Sequence, residues 1–322
     1  MRAVQVLDLV GPDGVQVAQT AKPTHSDDSV LVDVHAVGVA FPDLLLSKGQ
    51  YQITPDPPFT LGTEFAGTAL SGTNAGQRVV GLIPFGACAE RIAVPAQCLL
   101  PLPQGTSFTH GAALPMNYLT AVFCLIDRAQ VRPGETVLVH GAAGGVGTAS
   151  LQVARGLGAR TIAVVSTPAK AEVARSAGAD EVVLADGFRA AVADLTQGRG
   201  VDVVVDVVGG HLFIDSLRAL APFGRLMVVG FAAGQGIPEV KVNRLLLNNI
   251  DVRGVGMGAY LGVVGLQQMR SWWDVIVPML AEGVIAPPVT ATYPMEGYSD
   301  ALRALDSRTA AGKLVVAVSP PD

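Results

Sequence analysis

The sequence predicts an α/β fold in which a doubly wound parallel sheet is inserted into a mostly β domain. Three observations carry that expectation. From about residue 120 to about 256, short and nearly all-apolar strand patterns alternate with helix patterns. Such βα units belong to a parallel sheet covered on both faces. Residues 1 to about 115 instead show β-type alternation, rich in glycine and proline, as in a small barrel-like domain. The residues after about 256 are too few for a domain of their own and return to complete the first one. A chain of 322 residues is long for a single core, so two domains are the default.

The elements follow in chain order. Val30 to Val37 alternates valine with Leu31, Asp33 and His35, a half-buried strand that makes His35 structural. Short strands and turns continue through residues 76 to 81 and 89 to 94. A helix is expected over about 111 to 128. Strands are then expected at 136–139, 161–165, 181–184, 201–206, 225–229 and 251–255, with helices at 169–177, 188–196 and 212–220 between them. Asp202 and Asp206 belong at the ends of their strand. Beyond 256 come a helix with Trp272, Trp273, Ile276 and Leu280 on one side, a strand at 289–293, a helix at 299–305 and a last strand at 313–318.

The most informative stretch is Val-Leu-Val-His-Gly-Ala-Ala-Gly-Gly-Val-Gly at residues 137 to 147. A β-branched run stops at a glycine cluster and a small-residue helix pattern follows. Such a turn aims backbone N–H groups and the positive end of a helix dipole at a phosphate. Gly144 lets the backbone approach a pyrophosphate, with Ala143, Gly145 and Val146 beside it, and Gly147 lets helix pack on strand. The usual first glycine is Ala142 here. Roughly 20 positions on, where a carboxylate would take the ribose hydroxyls, the chain has Ser166, Thr167 and then Lys170. Hydroxyls and an ammonium suit a 2′-phosphate, so the pattern reads as NADPH rather than NADH. A solvated surface lysine is the other reading of Lys170.

Composition narrows the class. Half the residues are apolar and 15% are charged, enough for a sizeable core and wrong for a disordered chain. A net charge of −5 without basic–aromatic interleaving offers no field for nucleic acid or an acidic membrane. No apolar run reaches the ~18 residues of a spanning helix. The start, Met-Arg-Ala-Val-Gln, is strand-like rather than a leader. The expectation is a cytoplasmic protein. Cys88, Cys98 and Cys124 read as small buried hydrophobes, too few for a four-cysteine zinc site.

Several stretches in order carry a resemblance. They are Gly38-Val39-Ala40-Phe41-Pro42-Asp43, Gly49-Gln50-Tyr51, Pro58-Phe59, Leu61-Gly62-Thr63-Glu64-Phe65-Ala66-Gly67 and Leu119-Thr120-Ala121. After the glycine turn come Ala177-Gly178-Ala179-Asp180, Asp206-Val207-Val208-Gly209-Gly210 and Gly312-Lys313-Leu314-Val315. Together they resemble the zinc-independent, ζ-crystallin-like quinone oxidoreductases of the medium-chain dehydrogenase/reductases. The resemblance implies a GroES-like catalytic domain (1–118 and 257–322) around a Rossmann dinucleotide-binding domain (119–256), with the cofactor in the cleft. It also implies a homodimer through the Rossmann sheet edge, residues 245 to 255 here.

Departures from the wider superfamily shape the chemistry. Where zinc alcohol dehydrogenases have Gly-His-Glu the chain has Gly62-Thr63-Glu64, and the cysteine ligand expected near 39 or 40 is Val-Ala. Without those ligands, an alkoxide lacks its usual Lewis acid. Many quinone reductases have Asn where Ala40 stands and Tyr where Ala185 stands. NADPH can still deliver a hydride to an electrophilic carbon, and a hydrogen-bond donor can stabilise the oxygen that gains charge. Tyr51 matches the Gly-x-Tyr tyrosine that contacts substrate; the alternative is a buried tyrosine bonded to backbone. Asp43 is either a supporting acceptor behind it or a first-turn helix acid. The resemblance places Thr120, Gly230 and Phe231 near the nicotinamide and Ala40 and Phe41 at the acceptor pocket. Reduction of a quinone is the leading reading and reduction of an enoyl or alkenal C=C bond the runner-up. A thioester substrate would want a basic patch, for which Lys48 and Arg91 are candidates. A non-catalytic NADPH-binding sensor or structural protein is the reading from another class.

Overall fold

The computed structural model describes residues 1–26 and 28–319. The chain divides into two compact units. The first comprises residues 1–116, 266–273 and 289 onward; the second comprises 117–265 and 274–288. Residues 257–265 and 274–288 thus group with the parallel sheet.

In the first unit a seven-stranded sheet runs in the order Val289–Pro294, Lys313–Ala317, Ser29–Val39, Glu64–Ala69, Arg78–Leu82, Leu99–Pro101, with Arg91–Pro95 also pairing Ser29–Val39. Its pairs are antiparallel except Val289–Pro294 with Lys313–Ala317. A three-stranded sheet, Val15–Gln19, Arg2–Val6 and Phe59–Thr60, belongs to the same unit. The period-2 pattern of the long strand holds as far as His35: Val30, Val32 and Val34 are buried and Leu31, Asp33 and His35 are not. A register break between Val34 and Ala36 then turns the rest of the strand wholly inward. His35 stacks on Phe108 with ring centroids 4.1 Å apart, and its nitrogens meet Thr68 and Ser319 hydroxyls. The tail strand supplies Leu314 and Val316 to a core that includes Val4, Val32, Leu61, Phe65 and Leu302. Burying side chains of this size contributes about 1.5–3 kcal/mol each, which is how so short a tail is retained.

In the second unit six parallel strands run in the order Glu181–Leu184, Arg160–Val165, Thr136–His140, Val201–Asp206, Leu220–Val228, Asp251–Gly254. Numbered along the unit this is 3-2-1-4-5-6, the doubly wound Rossmann order, in which ligands gather outside the carboxyl ends of the strands. Leu138, Ile162, Val164, Val204 and Leu226 form a continuous core with Phe188 and Phe213 from the covering helices.

Two elements differ from the sequence expectation. The helix expected over 111–128 is broken into Phe108–Gly111, Pro115–Val122 and a π-helical turn at Phe123–Arg128. Pro115 lacks an N–H and disfavours helical geometry at the residue before it, so a new helix starts there. The strand expected from 225 begins at Leu220, because the chain pairs again before a bulge near Phe223, whose φ is +65°.

Candidate functional site

The second unit builds an anion cradle. Strand Thr136–His140 ends at Gly141, which adopts φ +60°, and helix Gly145–Gly156 begins after Gly144 as its N-cap. The first N–H groups of a helix have no partner within it, and a glycine N-cap offers no side chain to take them. A Cβ on Gly147 would stand 2.2 Å from the Gly141 carbonyl oxygen, so glycine is demanded by packing there. A Cβ on Gly144 would meet that oxygen at 3.3 Å, a tight contact but not the clash found at Gly147. Asn117, unremarked in the sequence, lies against Gly145, where a Cβ would meet its side chain at 2.5 Å. The geometry fits a dinucleotide pyrophosphate.

The other residues expected on the nucleotide side lie in the same unit, most of them just after strands and Thr120 in helix Pro115–Val122. Ser166 is exposed just after strand Arg160–Val165. Thr167 caps helix Pro168–Ser176 by accepting the Lys170 N–H at 3.4 Å, so its hydroxyl is partly engaged. Ala185 lines a cavity of about 220 Å³ with Asp186, Phe188, Arg189 and His211. Gly230 and the exposed Phe231 follow strand Leu220–Val228, with the Phe231 ring against Gly209. Thr120 is buried, its hydroxyl 3.8 Å from Met257 Sδ. Beneath the glycine turn, His140 is buried with Nε2 2.8 Å from Ser216 Oγ, and burial, then the nearby His211, pushes its pKa down to about 3.

In the first unit, Ala40, Phe41, Asp43 and Tyr51 share one segment built on helix Phe41–Ser47. Phe41 opens that helix and is 39% exposed, whereas Ala40 is buried. Asp43 takes the first-turn position, wholly buried, and its two oxygens accept Ala40 N–H at 2.8 Å and Gly62 N–H at 3.2 Å. Burial pushes its carboxyl up to about 7, with Glu64 adding to the rise and Lys313 and the two N–H groups opposing it. Tyr51 is half-buried against the core, and its hydroxyl makes no hydrogen bond among the described residues. Burial, then the charge of Asp43, raise the phenol above its ordinary value.

Sequence reasoning missed what lies behind Asp43. Glu64 and Lys313, both buried, form an ion pair, and Glu64 Oε2 also accepts the Met116 N–H at 2.8 Å. Tyr298 Oη is buried beside Asp43 without completing a hydrogen bond. A lysine heading an otherwise apolar strand, Lys-Leu-Val-Val-Ala, was the available signal, because a buried ammonium requires an acid. The two thioester-binding candidates do not form a basic patch: Lys48 pairs with Asp306 at 2.6 Å and Arg91 with Asp33 at 3.2 Å.

A parallel sheet in Rossmann order, with a glycine turn opening the helix after its first strand, is the frame of a dinucleotide-binding protein. Comparison with known proteins makes the class specific. Residues 26–104 match the alcohol dehydrogenase GroES-like domain and residues 145–273 the zinc-binding dehydrogenase family. Mouse quinone oxidoreductase-like protein 2 is 36% identical over 98% of this chain and 92% of its own length. A probable oxidoreductase from Mycobacterium abscessus superposes with a TM-score of 0.90 at 40% identity, covering 99% of both chains. The quinone oxidoreductase from Thermus thermophilus, solved also with NADPH, superposes at 0.87 with 36% identity over 99% of this chain and 100% of that one. The chain belongs to the zinc-independent quinone oxidoreductase family of the medium-chain dehydrogenase/reductases. It is an NAD(P)-dependent oxidoreductase acting on a small molecule, and among the described residues no helix is long and apolar enough to cross a membrane.

The donor set does not fit catalytic zinc. At the positions where zinc dehydrogenases have ligands stand the apolar pair Val39 and Ala40 and the hydroxyl of Thr63, the latter buried and unbonded. Among the described residues no group of three or more His, Cys, Asp or Glu could hold a metal.

Proposed function

We propose that the protein transfers a hydride from NADPH to a quinone and works as a homodimer. The observation that carries the acceptor reading is Tyr51, a half-buried phenol whose hydroxyl has no partner among the described residues. A reduced nicotinamide supplies the hydride when bound. Reduction of a conjugated carbonyl builds negative charge on its oxygen, and a preorganised O–H donor stabilises that charge. With its pKa raised, Tyr51 keeps its proton at neutral pH and can deliver it to the reduced oxygen. Exposed Phe41, on the same segment, offers an apolar face to a flat ring.

A C=C bond beside a carbonyl is the second reading, because a quinone is a doubly conjugated enone and the same donor serves both. The pairing of Lys48 and Arg91 with acids argues against a thioester carrying a nucleotide tail. Ser166 and Lys170, with no carboxylate at that strand end, support NADPH over NADH, as does the NADPH complex of the Thermus enzyme. For the dimer, strand Asp251–Gly254 ends the sheet order, and Leu246 and Leu247 just before it and Val252 on it are exposed. An apolar sheet edge invites pairing with another copy.

The test is oxidation of NADPH and of NADH with 1,4-benzoquinone, 9,10-phenanthrenequinone, an alkenal and crotonyl-CoA, by native protein and by Tyr51→Phe. Turnover with the quinones and NADPH, weak with NADH, is expected, with kcat lowered about 10²-fold in Tyr51→Phe and cofactor affinity retained. Turnover with the alkenal alone would establish the second reading. Native rates in Tyr51→Phe would remove the tyrosine from the chemistry.

A further inference from the structure

The first unit buries four ionisable side chains from four elements around one point. Asp43 comes from helix Phe41–Ser47, Glu64 from strand Glu64–Ala69, Lys313 from strand Lys313–Ala317 and Tyr298 from helix Tyr298–Asp306. All are buried, and the Cys88 thiol, from the segment before strand Arg91–Pro95, joins them. Lys313 and Glu64 neutralise each other as an ion pair. Thr63 Oγ1 and Tyr298 Oη are left unbonded. A carboxylate, a phenol and a hydroxyl without full satisfaction are costly in a core, so this cluster is retained for something other than packing.

We propose that Asp43 is a positioning residue for the reaction: as a carboxylate it ties the Tyr51-bearing segment to the turn at Gly62, and on taking a proton it releases that tie. The proposal rests on Tyr51 as the donor.

Acceptor capacity makes the tie depend on the proton. Asp43 Oδ2 holds Ala40 N–H at 2.8 Å and Oδ1 holds Gly62 N–H at 3.2 Å. A carboxylate accepts on both oxygens, whereas in a carboxylic acid one oxygen becomes a donor. The longer bond, to Gly62, is the one surrendered. Gly62 has no slack to follow, since it adopts φ +97° and a Cβ on it would stand 2.6 Å from Cys88 N. The segment from Ala40 to Tyr51 must therefore move relative to the turn, or lose the bond. The groups facing Asp43 allow either protonation state. Glu64 opposes its charge, Lys313 supports it, and Tyr298 Oη beside it can donate to the carboxylate or accept from the acid. Burial has already lifted the Asp43 carboxyl to about 7, where a modest change in pH changes its state.

The experiment compares kcat/KM against pH for native protein, Asp43→Asn and Tyr51→Phe, with benzoquinone as acceptor. Asparagine has one acceptor oxygen and stands for the protonated acid. The native profile should rise through a titration near neutrality. Asp43→Asn should be flat, near the native acid limb and about tenfold below the native plateau, since small misplacement of a catalytic group has effects of this size. Tyr51→Phe should fall at every pH while keeping the native midpoint; full activity there would sink the donor reading and leave the Asp43 titration to be judged separately. A native-like profile in Asp43→Asn would overturn the proposal. As a check that needs no variant, carbon-13 spectra of native protein labelled at aspartate should show one side-chain carboxyl titrating near neutrality. If every aspartate titrates in the ordinary range, the proposal fails.

Discussion

Asp43 and His140 are both sealed from water, and burial moves them in opposite directions. Each keeps its neutral form longer than it would in an unfolded chain. For His140, pushed down to about 3, the unfolded chain binds a proton below its ordinary 6.5 while the folded chain does not. The unfolded state then holds more protons, so stability rises with pH between about 3 and 6.5 and is lost as pH falls through that window. For Asp43, lifted to about 7, the folded state holds the extra proton. Its contribution is full in acid and is lost as pH rises from the ordinary carboxylate range toward 7. The two slopes partly cancel in native protein. His140→Gln should therefore expose the Asp43 slope: denaturant unfolding at a series of pH values should show stability falling as pH rises across the mildly acidic range. The change in slope should approach about 1.4 kcal/mol per pH unit. An unchanged pH dependence would mean that His140 is protonated in the folded protein. Neither behaviour was legible in the sequence, because a histidine in Val-Leu-Val-His-Gly and an acid after Phe-Pro show their type but not their burial.

Among the elements, the strand–glycine turn–helix was the clearest signal in the chain, and the structure divides its glycines by task. Gly147 is required by the Gly141 carbonyl 2.2 Å from its missing Cβ, whereas a Cβ on Gly144 would meet the same oxygen at 3.3 Å. Gly147→Ala should lower stability by about 1–3 kcal/mol, as overpacking does, visible as a lower Tm without ligand. If Gly144 is the close-approach glycine of the proposed NADPH site, Gly144→Ala should lose less Tm than Gly147→Ala and bind NADPH about tenfold more weakly or worse, measured by calorimetry. Equal loss of Tm in both would show that the turn is a packing device only. Helix boundaries were less legible than strand positions. The apolar run from 111 to 128 continues through a break that Pro115 and the π-helical turn at Phe123–Arg128 impose.

For the molecule as a whole, the edge at strand Asp251–Gly254 is a face with exposed apolar side chains that one chain leaves uncovered. Leu246 and Leu247 are each more than 70% exposed, beside a sheet edge that carries Val252. Replacing Leu247 and Val252 by Glu would put charge on that edge, a recognised way to block pairing. Sedimentation velocity should find a dimer for the native chain and a monomer for the double variant, with cofactor binding retained. A native monomer would remove the homodimer from the proposed function.

The class of fold, the strand–glycine turn–helix and the lack of a zinc donor set were readable from the residues alone. Each is written in contiguous positions: a two-residue or 3.6-residue periodicity, a glycine spacing, or a Thr63 where a histidine would be needed. What stands behind the tyrosine emerged only from the folded chain. Asp43, Glu64, Tyr298 and Lys313 are spread over some 270 positions and four elements, and no local pattern says that they meet. They meet because the tail strand Lys313–Ala317 pairs with Ser29–Val39, setting Leu314 opposite Val39 and Lys313 against the Glu64 carboxylate. Burial, and with it the proton affinity of Asp43, exists only once that sheet closes.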